Sequence, residues 1–239
     1  MKAVYKVCSF TLRQMSRDPI LILMIFAPLL AGSMFKWGLP AGMDWLSLKG
    51  ISLDVSPYQP LIDSLLAYLT PSLFCIISSF LMLEERDEGI SHYFFITPLG
   101  RRGYLIARLL IPAVVAWIYT LTVLEAFNIS HLSIGAHGAM TTLGTLYAVS
   151  LTLVVVSLAD NKVEGLALTK LTGVTFLAVL APWGITGNGQ YLYSFLPSFW
   201  LGKMSLAQST AELGLSAALG TAVSLVWISL LWRLFEKRS

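Results

Sequence analysis

Long apolar runs separated by short polar breaks set the pattern of this chain. Six of them, at 20–39, 61–83, 104–127, 139–159, 165–183 and 213–235, reach or approach the ~20 residues that cross a bilayer as a helix. The pattern predicts an all-α polytopic membrane protein with six transmembrane helices in a single domain, 1–239. The first run is the weakest. Pro28 interrupts it, and Lys36 must snorkel to the surface from its far end. The start of the fifth is soft, because "DNKVEGLALTK" mixes charged and apolar residues.

Two further segments carry a pattern of their own. Projected at ~100° per residue, Lys2, Lys6, Arg13 and Arg17 fall within an arc of about 60°, opposite Val4, Val7, Cys8, Thr11 and Met15. That predicts an amphipathic interfacial helix over 1–18, resting on one leaflet before Asp18-Pro19 turns the chain inward; the plainer reading is a basic tail that fixes topology. Between the fifth and sixth runs, 184–212 begins Gly-rich and then sets five aromatics around Pro197. Tyr and Trp favour the membrane interface. A re-entrant outer segment of short helices is expected there, with an ordinary surface loop as the alternative.

Composition agrees with this reading. Of the 239 residues, 56% are hydrophobic and 12% charged, against about 25% charged in a soluble domain. The net charge of +3 matters less than its placement. With both termini inside, thirteen of the sixteen Lys and Arg residues fall on the inner side, and only Lys36, Lys49 and Lys203 outside. The positive-inside rule then predicts cytoplasmic termini in a cell membrane. The basic region from Lys2 to Arg17 is too long for a signal peptide, and the first apolar run continues to Trp37, so that run is read as a retained span. Cys8 and Cys75 are expected to be free thiols with packing roles.

One connection is chemically unlike the rest. Residues 84–103 read "EERDEGISHYFFITPLGRRG". Charges near a span centre cost ~2.5–3.5 kcal/mol each, so the five from Glu84 to Glu88 would cost on the order of 12–17 kcal/mol in lipid. The segment belongs at the cytoplasmic surface. A short helix with an acidic start is expected, ended by Thr97-Pro98. Its aromatic patch, Tyr93 to Phe95, has no core of its own. It either packs back on the bundle or docks into a partner.

The run "EERDEG", about eight residues, then "TPLGRRGYLIARLL" resembles the acidic-Gly, Thr-Pro, basic pattern of permease subunits of type-2 ATP-binding-cassette (ABC) exporters. The six spans, cytoplasmic termini, amphipathic start and re-entrant outer segment also match that family. "NKVEGLALTK", 161–170, resembles its second cytoplasmic loop more weakly. Ile90 stands where the family often has Thr, and Ala107-Arg108 replaces a frequent Gly-Lys. The resemblance implies a coupling segment at 84–103 that sits in a cleft of a cytoplasmic ABC ATPase subunit, with Glu85, Glu88, Gly89, His92, Phe95, Thr97, Pro98 and Arg101 as its contact residues. It further implies a second permease copy or a related permease, and export of cargo by nucleotide-driven rocking of the bundle.

The chain has no phosphate-binding loop, since Gly202-Lys203 is followed by Met204 and lacks the upstream glycine. No cofactor is therefore expected on it; ATP and Mg would sit on the partner subunit. Lipid is an expected partner and nucleic acid is not. On the second span Ser64, Tyr68, Pro71, Cys75, Ser78, Ser79 and Met82 share a face of roughly 100°. Thr141, Thr145 and Thr152 make a similar stripe on the fourth. Such stripes either line a pathway or serve as helix-packing surfaces. Arg108 is expected to snorkel to the inner surface and Glu125 to lie at the outer one, leaving no charge at mid-depth. That favours a small hydrophobic or amphiphilic cargo. Two other readings compete: an intramembrane metalloprotease-like enzyme using Glu84-Glu85 and later histidines, and a non-transporting scaffold or immunity protein. The first requires its ligands at a shared depth, whereas His92 is expected inside, with His131 and His137 in a solvated outer loop.

Overall fold

A computed structural model describes residues 19–50, 54–90 and 100–238. Among them the chain is all-helical, with six helices long and apolar enough to cross a membrane. Hydrocarbon offers no hydrogen bonds to the backbone, so helices that satisfy themselves are the natural outcome of such a sequence. The expected interfacial helix at 1–18 lies outside the described residues.

The first span is α1 (Pro19–Ser33), a π-helical turn (Met34–Gly38) and α2 (Leu39–Ser47) in unbroken succession. Contrary to expectation, Pro28 does not interrupt it. Tyr119 donates to the Ile25 carbonyl (2.7 Å) close to this proline. The helix continues past the end of the apolar run at 39, to Ser47. A short 3-10 turn (Ser56–Tyr58), in which Asp54 Oδ1 accepts from the Ser56 N–H (3.0 Å), leads into α3 (Gln59–Asp87). Then follow α4 (Gly100–Phe127) and α5 (Ile134–Leu158). The expected start of the fourth span at Ala139 is five residues late, because Ser133 caps α5 by accepting from the Ala136 N–H (3.3 Å). The fifth span is two pieces, α6 (Lys162–Thr169) and α7 (Leu171–Gly184), meeting at Lys170. A 3-10 stretch (Gly187–Tyr193) and α8 (Pro197–Ser205) precede the last span, α9 (Thr210–Arg238).

Two helices form the centre. Of their apolar windows, 83% of α3 and 72% of α5 are buried, against 11–39% in the other four spans. α3 packs on α1, α4, α5, α6 and α8. The 184–212 segment folds back into the bundle: α8 packs on α3, α5, α7 and α9, with Phe199 and Leu201 fully buried. One core cluster gathers Leu66, Tyr68, Leu143, Tyr147, Val179 and Phe199, and a second joins Met82, Leu105, Leu153 and Phe235. The peripheral helices expose Leu23, Leu30, Leu110, Ile118, Leu177 and Leu230, side chains suited to lipid.

The α3–α5 contact depends on a proline and a glycine. Pro71 has no N–H to offer the Ala67 carbonyl four residues back. That carbonyl faces Gly144 on α5, where a Cβ would collide with it. Close backbone approach through small residues is the usual packing device between membrane helices, where the hydrophobic effect gives no drive. Gly144→Leu should force the two helices apart, and overpacking of this kind costs about 1–3 kcal/mol. A lowered melting temperature in detergent checks this; Gly138→Leu, at a glycine with open space around it, should stay near wild type.

Candidate functional site

The acidic end of α3 is the most heavily connected polar region of the described residues. The helix closes with the Glu88 N–H on the Glu84 carbonyl (2.9 Å) and the Gly89 N–H on the Arg86 carbonyl (3.0 Å). Gly89 has φ +72, a left-handed conformation that glycine adopts without a Cβ penalty. Four consecutive residues on this last turn then reach three neighbouring helices. Glu85 turns inward, where it accepts from Tyr104 (2.6 Å) and pairs with Arg108, both on α4. Arg86 donates to the carbonyls of Val156 (3.1 Å) and Ala159 (2.8 Å) at the end of α5. Glu84 pairs with Lys162 Nζ (3.3 Å), and Asp87 accepts from the Lys162 N–H (3.1 Å) at the start of α6.

Each contact answers a need of its neighbour. The last carbonyls of α5 have no intrahelical partner, and a guanidinium supplies donors and positive charge where the helix dipole favours it. The first N–H groups of α6 are equally orphaned; Asp87 and the Asn161 side chain, which accepts from the Glu164 N–H (2.9 Å), take them up. The result is a clamp that ties α3 to α4, α5 and α6 at one level.

This arrangement corrects two expectations. Glu85 does not face a partner: it is 1% exposed and engaged within the bundle. Arg108 does not snorkel to the surface; at 2% exposure it meets Glu85, while Ser78 donates to its carbonyl (2.6 Å). Asp87 and Glu88 are the exposed acids of the turn, and Gly89 is half-buried. His92, Phe95, Thr97 and Pro98 lie outside the described residues, as does the Arg101 side chain.

The small and hydroxyl residues of the two stripes are buried within the protomer. Ser64, Tyr68, Cys75, Ser78 and Ser79 on α3, and Thr141 and Thr145 on α5, all fall in this class. Ser64, Ser79 and Thr145 return their hydroxyls to their own helices, and Thr152 donates to the Cys75 carbonyl (3.0 Å). Tyr68 differs. Its hydroxyl donates to the Thr172 carbonyl (2.5 Å) and joins those of Tyr147 (3.1 Å) and Thr175 (2.9 Å), fastening α7 to the central pair.

At the opposite end of α3 lies a second charged group that sequence reasoning missed. Asp63 is fully buried, and its carboxylate accepts from Ser130 N–H (3.0 Å), the Ser130 hydroxyl and Ile129 N–H (3.4 Å). His137 stands 3.8 Å from it through Nε2, and its Nδ1 is 2.7 Å from Glu125. His137 was expected in a solvated loop but is 0% exposed on α5. The signal for Asp63 was an acid three residues into an apolar run. Glu84 and Glu85 therefore sit at the other end of α3 from His137, which removes the shared depth a metal-ligating set would need.

A bundle of six apolar helices, four of them around two central ones and closed at one end by a charged clamp, defines a multi-pass membrane protein. The chain matches, over residues 11–232, the family described as fluoroquinolones export permease protein Rv2686c-like, and it belongs to that family. Two relatives from Mycobacterium tuberculosis, the fluoroquinolones export permease proteins MT2760 (strain CDC 1551 / Oshkosh) and Rv2686c (strain ATCC 25618 / H37Rv), are each 26% identical to it over 230 residues, covering 93% of this chain and 89% of theirs. The membership agrees with the resemblance to type-2 ABC permease subunits seen in 84–108 and makes the chain a transport subunit.

The clamp yields a stability prediction. Glu85→Ala leaves Arg108 buried without its carboxylate and should cost about 3–5 kcal/mol, whereas the double replacement Glu85→Leu, Arg108→Met should recover most of that loss. Unfolding by denaturing detergent, followed by circular dichroism, measures both.

Proposed function

We propose that this chain is the membrane-spanning subunit of an ATP-driven ABC exporter in the cell membrane, with the acidic end of α3 as the point where force enters. The observation that carries the reading is the clamp. A push on the segment after Gly89 is passed through Glu85 to α4, through Arg86 to α5, and through Glu84 and Asp87 to α6. A lever must be stiff where it meets its load, and buried charge pairs with satisfied hydrogen bonds supply that stiffness. Asp87 and Glu88 remain outward and available to a cytoplasmic ATPase subunit. His92, Phe95, Thr97, Pro98 and Arg101 complete the proposed contact.

In this reading the ATPase subunits bind ATP and Mg, and their closure rocks α3 and α4 together between inward and outward access. A second permease copy, or a related permease, encloses the route. The excess of Lys and Arg on the acidic side of the bundle supports cytoplasmic termini. The names of the relatives, with the scarcity of charge along the bundle, support a small amphiphilic cargo of the fluoroquinolone kind.

Glu88→Lys tests the coupling without touching the clamp, because Glu88 is exposed. Association with the ATPase subunit should weaken about tenfold or more, and ATP-dependent efflux should fall with it, while the melting temperature stays put. Co-purification and transport in vesicles read the two effects; wild-type values for both would overturn the assignment.

A further inference from the structure

We infer that a cavity of about 410 Å³ at the far end of the bundle, between the π-helical turn with α2, the start of α3 and the end of α4, is a binding site for a small amphiphile bearing both an acidic group and an amine. It has the size of a small-molecule site. Three independent departures from regular structure meet on its wall. Phe35 and Lys36 lie in the π-helical turn, a geometry that is rare and concentrated at functional sites. Asn128 (φ 34) and His131 (φ 54) are the non-glycine residues with left-handed backbone among those described. The Asn128 side-chain oxygen is buried and has no hydrogen-bond partner. A buried acceptor left without a donor is unusual, because it forfeits its hydration. A ligand N–H would satisfy it.

The irregular wall is held in place from beneath. Asp63, itself anchored beside His137 and Glu125, accepts from the N–H groups of Ile129 and Ser130. Asp63 is thus a positioning residue for the cavity rather than a ligand group.

The chemistry of the occupant follows from the lining. Lys36 offers an ammonium; one proton goes to the Ala126 carbonyl (2.7 Å), leaving two donors for an anion. Asp44 and the Asn128 oxygen accept, and so call for a cationic amine. Phe35, Leu39, Met43 and Phe127 supply apolar walls, Phe127 being fixed by an edge contact with Trp37 (ring centroids 5.9 Å). One anion, one amine and an apolar body describe a zwitterionic amphiphile. The site deepens the export reading, on which its role as an exit-side station rests, but its occupancy requires no ATPase.

The test uses the full chain alone in phospholipid nanodiscs and the fluorescent zwitterion Nε-dansyl-L-lysine, followed by anisotropy against empty nanodiscs. Saturable binding is expected, weakened about tenfold by Lys36→Gln or Asp44→Asn, and abolished by Ser56→Trp, which fills the cavity. With the wild-type chain, the methyl ester (no anion) and the N-acetyl derivative (no cation) should each bind about tenfold more weakly. Lys36→Gln should erase the preference for acid over ester, a result that misfolding cannot imitate. Binding indistinguishable from empty nanodiscs, or equal affinity for all three compounds, overturns the proposal. Glu88→Lys should leave dansyl-lysine binding intact while losing ATPase association, so failure of the site and failure of the coupling assignment are told apart.

Discussion

Glu85 and Arg108 are opposite charges in a place where neither survives alone. Stripping either of water costs several kcal/mol, and only close pairing with further hydrogen bonds offsets it. Tyr104 supplies one such bond. Around this pair the remaining contacts of the α3 terminus become possible: with Glu85 fixed inward, helical geometry sends Glu84, Arg86 and Asp87 toward α5 and α6. The ion pair contributes less as net stability than as specification. It sets the rotation of α3 about its axis, and with it which faces meet α4 and α5.

Along its middle α3 has no charge to guide it, and packing relies on shape. The carbonyl that Pro71 leaves unserved, and the bare Gly144 backbone that reaches it, bring α3 and α5 closer than side chains would allow. Tyr68 then links this pair to α7 through hydroxyls rather than charges. The molecule is thus organised in three levels along the membrane normal: ionic at the acidic end, steric and hydroxyl-based in the middle, ionic again around Asp63. The middle level is the one with the least electrostatic commitment.

The spans were legible because apolar length is a one-dimensional signal. The short helices of 184–212 were legible for a related reason, the aromatic load around Pro197. What the sequence hid was partnership. Glu85 and Arg108 lie 23 residues apart, and a single chain gives no sign that an acid read as outward-facing finds its counter-charge on the next helix. His137 was misplaced because the turn after α4 is tight. With Ser133 starting α5, a histidine that read as loop falls inside a helix, where Glu125 can accept it. Pro28 sits inside an unbroken helix, since neighbouring helices in membranes re-satisfy the backbone around a proline.

The π-helical turn at Met34–Gly38 holds one residue more than an α-helical turn would need. Such a turn accommodates one extra residue without breaking the rod. Excising one residue there would let ordinary helix close up, but everything beyond would swing by ~100° about the axis. Asp44 would leave its present bearing on the cavity. A gain or loss of one residue at that turn would re-aim a whole wall of the molecule while leaving the helix continuous.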